Sequence, residues 1–146
     1  MKLTARHRRL IMDEAAMAYP AECCGLLVGT GSSSGDDWTV TRVVPAANVA
    51  PPEPGHSIRD RFEVDPQTRF DLERELRGAE EAVIGHYHSH PDHPAEPSAT
   101  DLAKAFEPSL IWIIAGIEAG ETTQLNAFRL TGDAFEPLAV EIVDSG

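Results

Sequence analysis

Cysteine is nearly missing from this 146-residue sequence, which has only Cys23 and Cys24, side by side. Adjacent cysteines rarely bridge each other, so no disulfide framework is expected and a reducing compartment fits. The pair also lacks the C-x-x-C spacing of a zinc hook, and reads as two small buried side chains opening a strand. Bases are scarce too: 12 Lys and Arg face 24 Asp and Glu, for a formal net charge of −12. That removes the basic footprint a nucleic-acid binder needs, and for the same reason disfavours an acidic lipid surface. The excess acid suits either steering of a basic partner or a general solvation device of the kind used at high salt, and because the acids are scattered and form no run the solvation reading is favoured. No apolar run reaches the length of a membrane span, and the N-terminal MKLTARHRRLIMDEAAMAYP has no signal-peptide apolar block, so a cytoplasmic protein is expected. With 42% hydrophobic residues and no repeat or linker, the chain is expected to form one domain over residues 1–146.

Along that domain, residues 4–19 place Leu10, Ile11, Ala15, Met17 and Ala18 at roughly helical spacing, and Tyr19-Pro20 should end the helix. Residues 23–29 (CCGLLVG) read as a buried strand, GSSSGDD over 31–37 as a turn, and residues 38–44 as the second strand of a hairpin. Residues 46–61, with three prolines, form a loop longer than a simple connector needs, a length often associated with function. Asp65-Pro66 marks a helix start, with Asp as N-cap and Pro at the first helical position; that helix should run to about Gly78. A helix over 98–106, an interior strand over 110–115, a turn over 116–122 and strands over 123–130 and 138–143 complete a mixed α/β reading, one main sheet flanked by helices.

The stretch VIGHYHSHPDHPAEPSATD, residues 83–101, carries the chemistry. It begins as an apolar strand, is expected to break into loop at Pro91, and restarts as a helix near Ser98. Four of the six histidines fall inside it: His86, His88, His90 and His93. Alternation puts His86, His88 and His90 on one strand face, where protonated they would repel and buried neutral each would need a partner. A shared metal ion removes that difficulty. Because His86 and His90 lie about 13 Å apart along a strand, one ion takes either the 86/88 or the 88/90 pair. Asp101 is reached most directly from His90, which favours 88/90 and completes two imidazoles and a carboxylate, with a fourth tetrahedral position for water. His86 then supports the site and His93 stands at its mouth. Ser98 followed by Asp101 also has the spacing of a capping box, which alone would need no metal.

Gly85 to Pro91 (GHYHSHP) followed by Pro97 to Asp101 (PSATD) resembles the JAMM (MPN+) metalloprotease signature, H-x-H-P and then S-x-x-D. Residues 20–29 (PAECCGLLVG) resemble the family's other element, a glutamate just ahead of a C-G-L-L strand, and Asn48 and residues 62–66 resemble positions between the two. The resemblance implies the MPN/JAB, cytidine-deaminase-like fold: a single mixed, mostly antiparallel curved sheet flanked by helices. It further implies a zinc hydrolase of peptide or isopeptide bonds. In that reading His88, His90 and Asp101 bind Zn2+, Glu22 deprotonates the water, and Ser98 steadies the oxyanion. Glu22 is singled out by the resemblance alone.

The size is similar to that of small bacterial members that trim the C-terminus of ubiquitin-like sulfur-carrier proteins, which makes such a carrier the expected partner and residues 46–61 the candidate contact for its tail. The short turn between Ile114 and Gln124 makes polyubiquitin a poor expectation. Three other readings stand beside it: a zinc amidohydrolase on a small-molecule amide or an unrelated small peptide, a non-catalytic MPN-type binding or scaffold module, and a structural zinc closed by His86, His93 or the cysteines.

Overall fold

The structure, a computed structural model, describes residues 1–31, 37–50, 62–92, 94–98, 110–119, 121–131 and 134–144. In chain order its elements are β1 (Lys2–Thr4), α1 (Ala5–Ala18), β2 (Cys24–Thr30), β3 (Thr39–Ala46), α2 (Pro66–Glu75), β4 (Ala82–Pro91), β5 (Ile111–Glu118), β6 (Glu121–Thr131), β7 (Ala134–Leu138) and β8 (Glu141–Val143). One sheet runs in the order β7-β6-β5-β4-β2-β3-β1-β8. Its β2/β3, β2/β4, β5/β6 and β6/β7 pairings are antiparallel, while β4/β5, β1/β3 and β1/β8 are parallel.

That order forces the sheet to curl. β7 and β8 are its two edges, yet only Ala139 and Val140 separate them in sequence. Seven flat intervals of about 4.8 Å would hold the edges roughly 34 Å apart. Two intervening residues reach only about 11 Å. The ends do meet: the Met1 amino group donates to the Ala139 carbonyl at 2.9 Å, and the Glu141 N–H donates to the Met1 carbonyl at 2.8 Å. Inside the curl lies α1. Its Ile11 and Ala15 join Leu3, Leu27, Tyr87, Ile111, Ile113, Ala115, Ile117 and Leu138 in one core that reaches from β7 to β1. On the outer face Leu72 of α2 packs with Leu26 and Val28, and Trp112, Ile114 and Phe128 pack with Ala95.

The expected helix starts hold in detail. Thr4 caps α1, its hydroxyl accepting from the His7 N–H, and Asp65 caps α2 ahead of Pro66 by accepting from the Gln67 N–H. β5, buried along Ile111 to Ile117, is the interior strand its unbroken apolar run indicates. Gly25 in β2 faces Tyr87 across the β2/β4 ladder, and a Cβ there would collide with the Tyr87 ring.

Elsewhere the chain departs from the reading of its sequence. Residues 2–4 are a short strand before α1, α2 stops at Glu75, and the expected 138–143 strand is two strands at opposite edges. The 116–122 turn is shorter than expected, since β5 continues to Glu118 and β6 begins at Glu121. β4 continues through Pro91, which pairs with Ile117. The physical reason is directional. The Ser89 N–H points toward β2, where it donates to the Cys23 carbonyl, and Pro91, two residues on, would point the same way beyond the end of that strand, so its missing N–H costs no ladder bond. The chain turns instead at Asp92, whose φ is +58°. The expected helix over 98–106 lies outside the described residues beyond Ser98, as do residues 51–61 of the long loop. No helix among the described residues is long and apolar enough to cross a membrane.

Candidate metal centre

β4 builds the site by alternation. Tyr87 and Ser89 face the inner core, and His86, His88 and His90 face outward. The strand register sets their neighbours: His88 lies between Cys24 and Ile114, His86 between Leu26 and Trp112, and His90 beside Gly116, which brings no side chain. His88 is fully buried and His90 nearly so, at 0% and 6% exposure. Their Nε2 atoms stand 3.1 Å apart. Two nitrogens on one tetrahedral zinc at about 2.05 Å each would stand roughly 3.3 Å apart.

His90 is already oriented for such a role. Its Nδ1 is 2.9 Å from the Pro94 carbonyl, and because a carbonyl only accepts, Nδ1 carries a proton and Nε2, which faces His88, is the nitrogen left to offer a metal. The segment that supplies this carbonyl is itself held. Ala95 is buried against Trp112, Ile114 and Phe128, and its carbonyl accepts from Asn126 Nδ2 at 3.0 Å. His88 is fixed by aromatic faces instead. Phe62 stacks on it with centroids 4.0 Å apart and planes 15° from parallel, and Trp112 meets it edge-on at 5.5 Å. Asn126 and Trp112 carry no local sign of the site in the sequence, because strand register brings them in, while Phe62 opens the 62–66 segment that resembles the family.

Glu22 arrives from the segment between α1 and β2. It is 4% exposed, and among the described residues Glu22, His88 and His90 are a group whose ligand atoms all lie within 4.8 Å of one another. Side-chain bonds hold its neighbours. The Cys23 N–H donates to Ser89 Oγ at 2.8 Å, on the residue between the two histidines, and the Tyr19 hydroxyl donates to the Asp92 carboxylate at 2.7 Å, two residues past His90.

Of the residues singled out by sequence, the structure thus brings together Glu22, His88 and His90. Ser98 is exposed and lines a groove of about 700 Å³ with Asn126, Phe128 and Phe135. Asp101 and His93 lie outside the described residues. His86 stands apart from the pair: its ring centroid is 6.2 Å from that of His88, against 4.9 Å between His88 and His90, and it packs on Trp112 at 4.2 Å. Both cysteines are buried and free. Burial pushes the thiols of Cys23 and Cys24 up to about 12, so neither offers a thiolate near neutrality. The group among the described residues that could hold a metal ion contains neither of them.

A mixed sheet curled round one helix, with two imidazoles and a carboxylate buried on its outer face, is the architecture of the JAMM/MPN class. Comparison with known proteins agrees. The profile of the prokaryotic homologs of the JAB domain matches residues 4–131. A desampylase from Haloferax volcanii is 35% identical over 130 residues, 89% of this chain and 84% of that protein. A CysO-cysteine peptidase from Mycobacterium tuberculosis is 26% identical over 134 residues, 92% of this chain and 85% of that one. The solution structure of a Desulfitobacterium hafniense protein superposes with a TM-score of 0.81 at 30% identity, covering 99% of this chain and 93% of that chain. The chain belongs to the prokaryotic JAB family, and as a member of the JAMM class it is a peptidase.

Proposed function

We propose that this protein is a zinc-dependent peptidase or isopeptidase of the reducing cytoplasm, acting next to the C-terminus of a ubiquitin-like, sulfur-carrier type of protein. The observation that carries the reading is the buried approach of Glu22 to the His88–His90 pair. The donors suit zinc: an imidazole whose Nδ1–H is held by the Pro94 carbonyl and a second imidazole clamped between aromatic rings, with the Glu22 carboxylate within reach of both as base. In this reading His88, His90 and Asp101 hold the ion. When bound, zinc polarises the scissile carbonyl and brings the pKa of water to about 7. Glu22 takes the proton from the attacking water and returns it to the departing amine. The Ser98 hydroxyl donates to the carbonyl oxygen as charge builds there, a kind of contact whose loss typically costs about 10²–10³ in turnover. The substrate class rests on the two similar peptidases, whose names are desampylase and CysO-cysteine peptidase, and on the family resemblance of the small chain.

The test is a sulfur-carrier protein bearing a short C-terminal extension, offered to the zinc-loaded enzyme and to Glu22→Gln. The variant should retain one zinc and lose cleavage. Full activity in Glu22→Gln would end the assignment of the base, and no cleavage by the wild type would end the substrate class.

A further inference from the structure

We propose that Asn48 is a positioning residue that joins Glu22 to the aromatic cover of His88. Resting on the reading of Glu22 as base and His88 as ligand, the proposal adds a residue to which that reading gives no role. Asn48 follows β3 and is half-buried. Its Nδ2 donates to the Glu22 carbonyl at 3.2 Å, and its Oδ1 accepts from the Ala50 N–H at 3.1 Å and the Glu63 N–H at 3.0 Å. Two N–H groups on Oδ1 and a carbonyl on Nδ2 fix which way the amide points, since a flip would set donor against donor and oxygen against oxygen.

The backbone around Asn48 continues the same clamp. Asn48 bridges Val64, the Val49 N–H donates to the Glu63 carbonyl at 2.9 Å, and the Asp65 N–H donates to the Ala47 carbonyl at 3.2 Å. Residues 62–65 are thereby laid along 47–50, and Phe62 at the end of that strip stacks on the His88 ring at 4.0 Å. The two ends of one side chain do different work. The donor holds the base residue, and the acceptor holds the strip that covers the ligand.

That asymmetry makes the two roles separable. Asn48→Asp keeps an acceptor for Ala50 and Glu63 but at neutral pH has no donor for Glu22. Asn48→Ala loses both. For Asn48→Asp we expect a melting temperature within a few degrees of wild type, zinc binding no weaker, KM within about threefold, and kcat down at least tenfold, since small misplacement of a reacting group is costly. For Asn48→Ala the same kcat loss is joined by weaker zinc binding, about tenfold, the low end of what disturbing a ligand's supporting partners costs. Phe62→Leu should weaken zinc binding while leaving the Glu22 contact in place.

Zinc affinity is read without any substrate, so the proposal and the assigned activity fail separately. If the wild type cleaves no carrier protein but Asn48→Ala and Phe62→Leu weaken zinc as stated, the activity falls and the clamp stands. Wild-type kcat in folded Asn48→Asp, or wild-type zinc affinity in both Asn48→Ala and Phe62→Leu, overturns the clamp.

Discussion

Replacing Ser89 with alanine tests how the strand of histidines holds the glutamate. Ser89 is fully buried, and its Oγ accepts from the Cys23 N–H at 2.8 Å. Cys23 is itself only 5% exposed, so Ser89→Ala strands a buried backbone donor with no water to replace its partner. An orphaned donor of this kind costs about 1–3 kcal/mol. The Ser89 hydroxyl also hydrogen-bonds the Cys23 thiol, easing a thiol pKa that burial drives up, and that bond is lost as well. A middle value of about 2 kcal/mol corresponds to a fall in melting temperature of roughly 4–8 °C for a chain of this size. Urea denaturation monitored by circular dichroism should show the midpoint fall with the slope unchanged. Turnover should fall more than stability suggests, because Cys23 is the residue after Glu22 and its release lets the carboxylate drift. A stability loss below about 0.5 kcal/mol, the range of an ordinary surface substitution, together with unchanged kcat would show that Ser89 does not hold this segment.

Two other outcomes follow from the inner face. Gly25→Ala drives a Cβ into the Tyr87 ring, whose hydroxyl reaches Glu14 at 2.5 Å, and overpacking of this kind should cost about 1–3 kcal/mol by urea denaturation; wild-type stability would mean the ring can move aside. Burial raises the Glu14 carboxyl above its ordinary value, against the opposing pull of the Tyr87 hydroxyl, so the folded state holds this proton more tightly than the unfolded chain does. Glu14 therefore contributes a stability that is full below the ordinary carboxylate pKa and is lost as pH rises through the folded one, and Glu14→Gln should flatten that part of the stability–pH curve; an unchanged curve would refute the assignment.

How far such features could be read beforehand varies with their range along the chain. The 23–29 and 110–115 runs, the Asp65-Pro66 start and the H-x-H alternation are local patterns, and the structure has them. β1 and β8 are three residues each and exist because the curl brings residues 2–4 and 141–143 together, a pairing no local window contains. Pro91 was misleading for a similar reason: whether a proline ends a strand depends on what lies beside its nitrogen, here the end of β2. Glu22 is one acid among 24, and only resemblance marked it; its link to the site is a bond from Cys23 to Ser89, 66 positions away. Asn48 and Phe62 fall at positions that the resemblance marked, but their link runs through a bridge between 48 and 64 that no local window contains.

The proposed zinc site is built of two imidazoles and carboxylate oxygen, with no thiolate. X-ray absorption at the zinc edge of the loaded protein reads this directly. That donor set gives a shell of nitrogen and oxygen at about 2.0–2.1 Å, lost in His88→Ala; a sulfur scatterer near 2.3 Å, or a spectrum unchanged by His88→Ala, would rule it out.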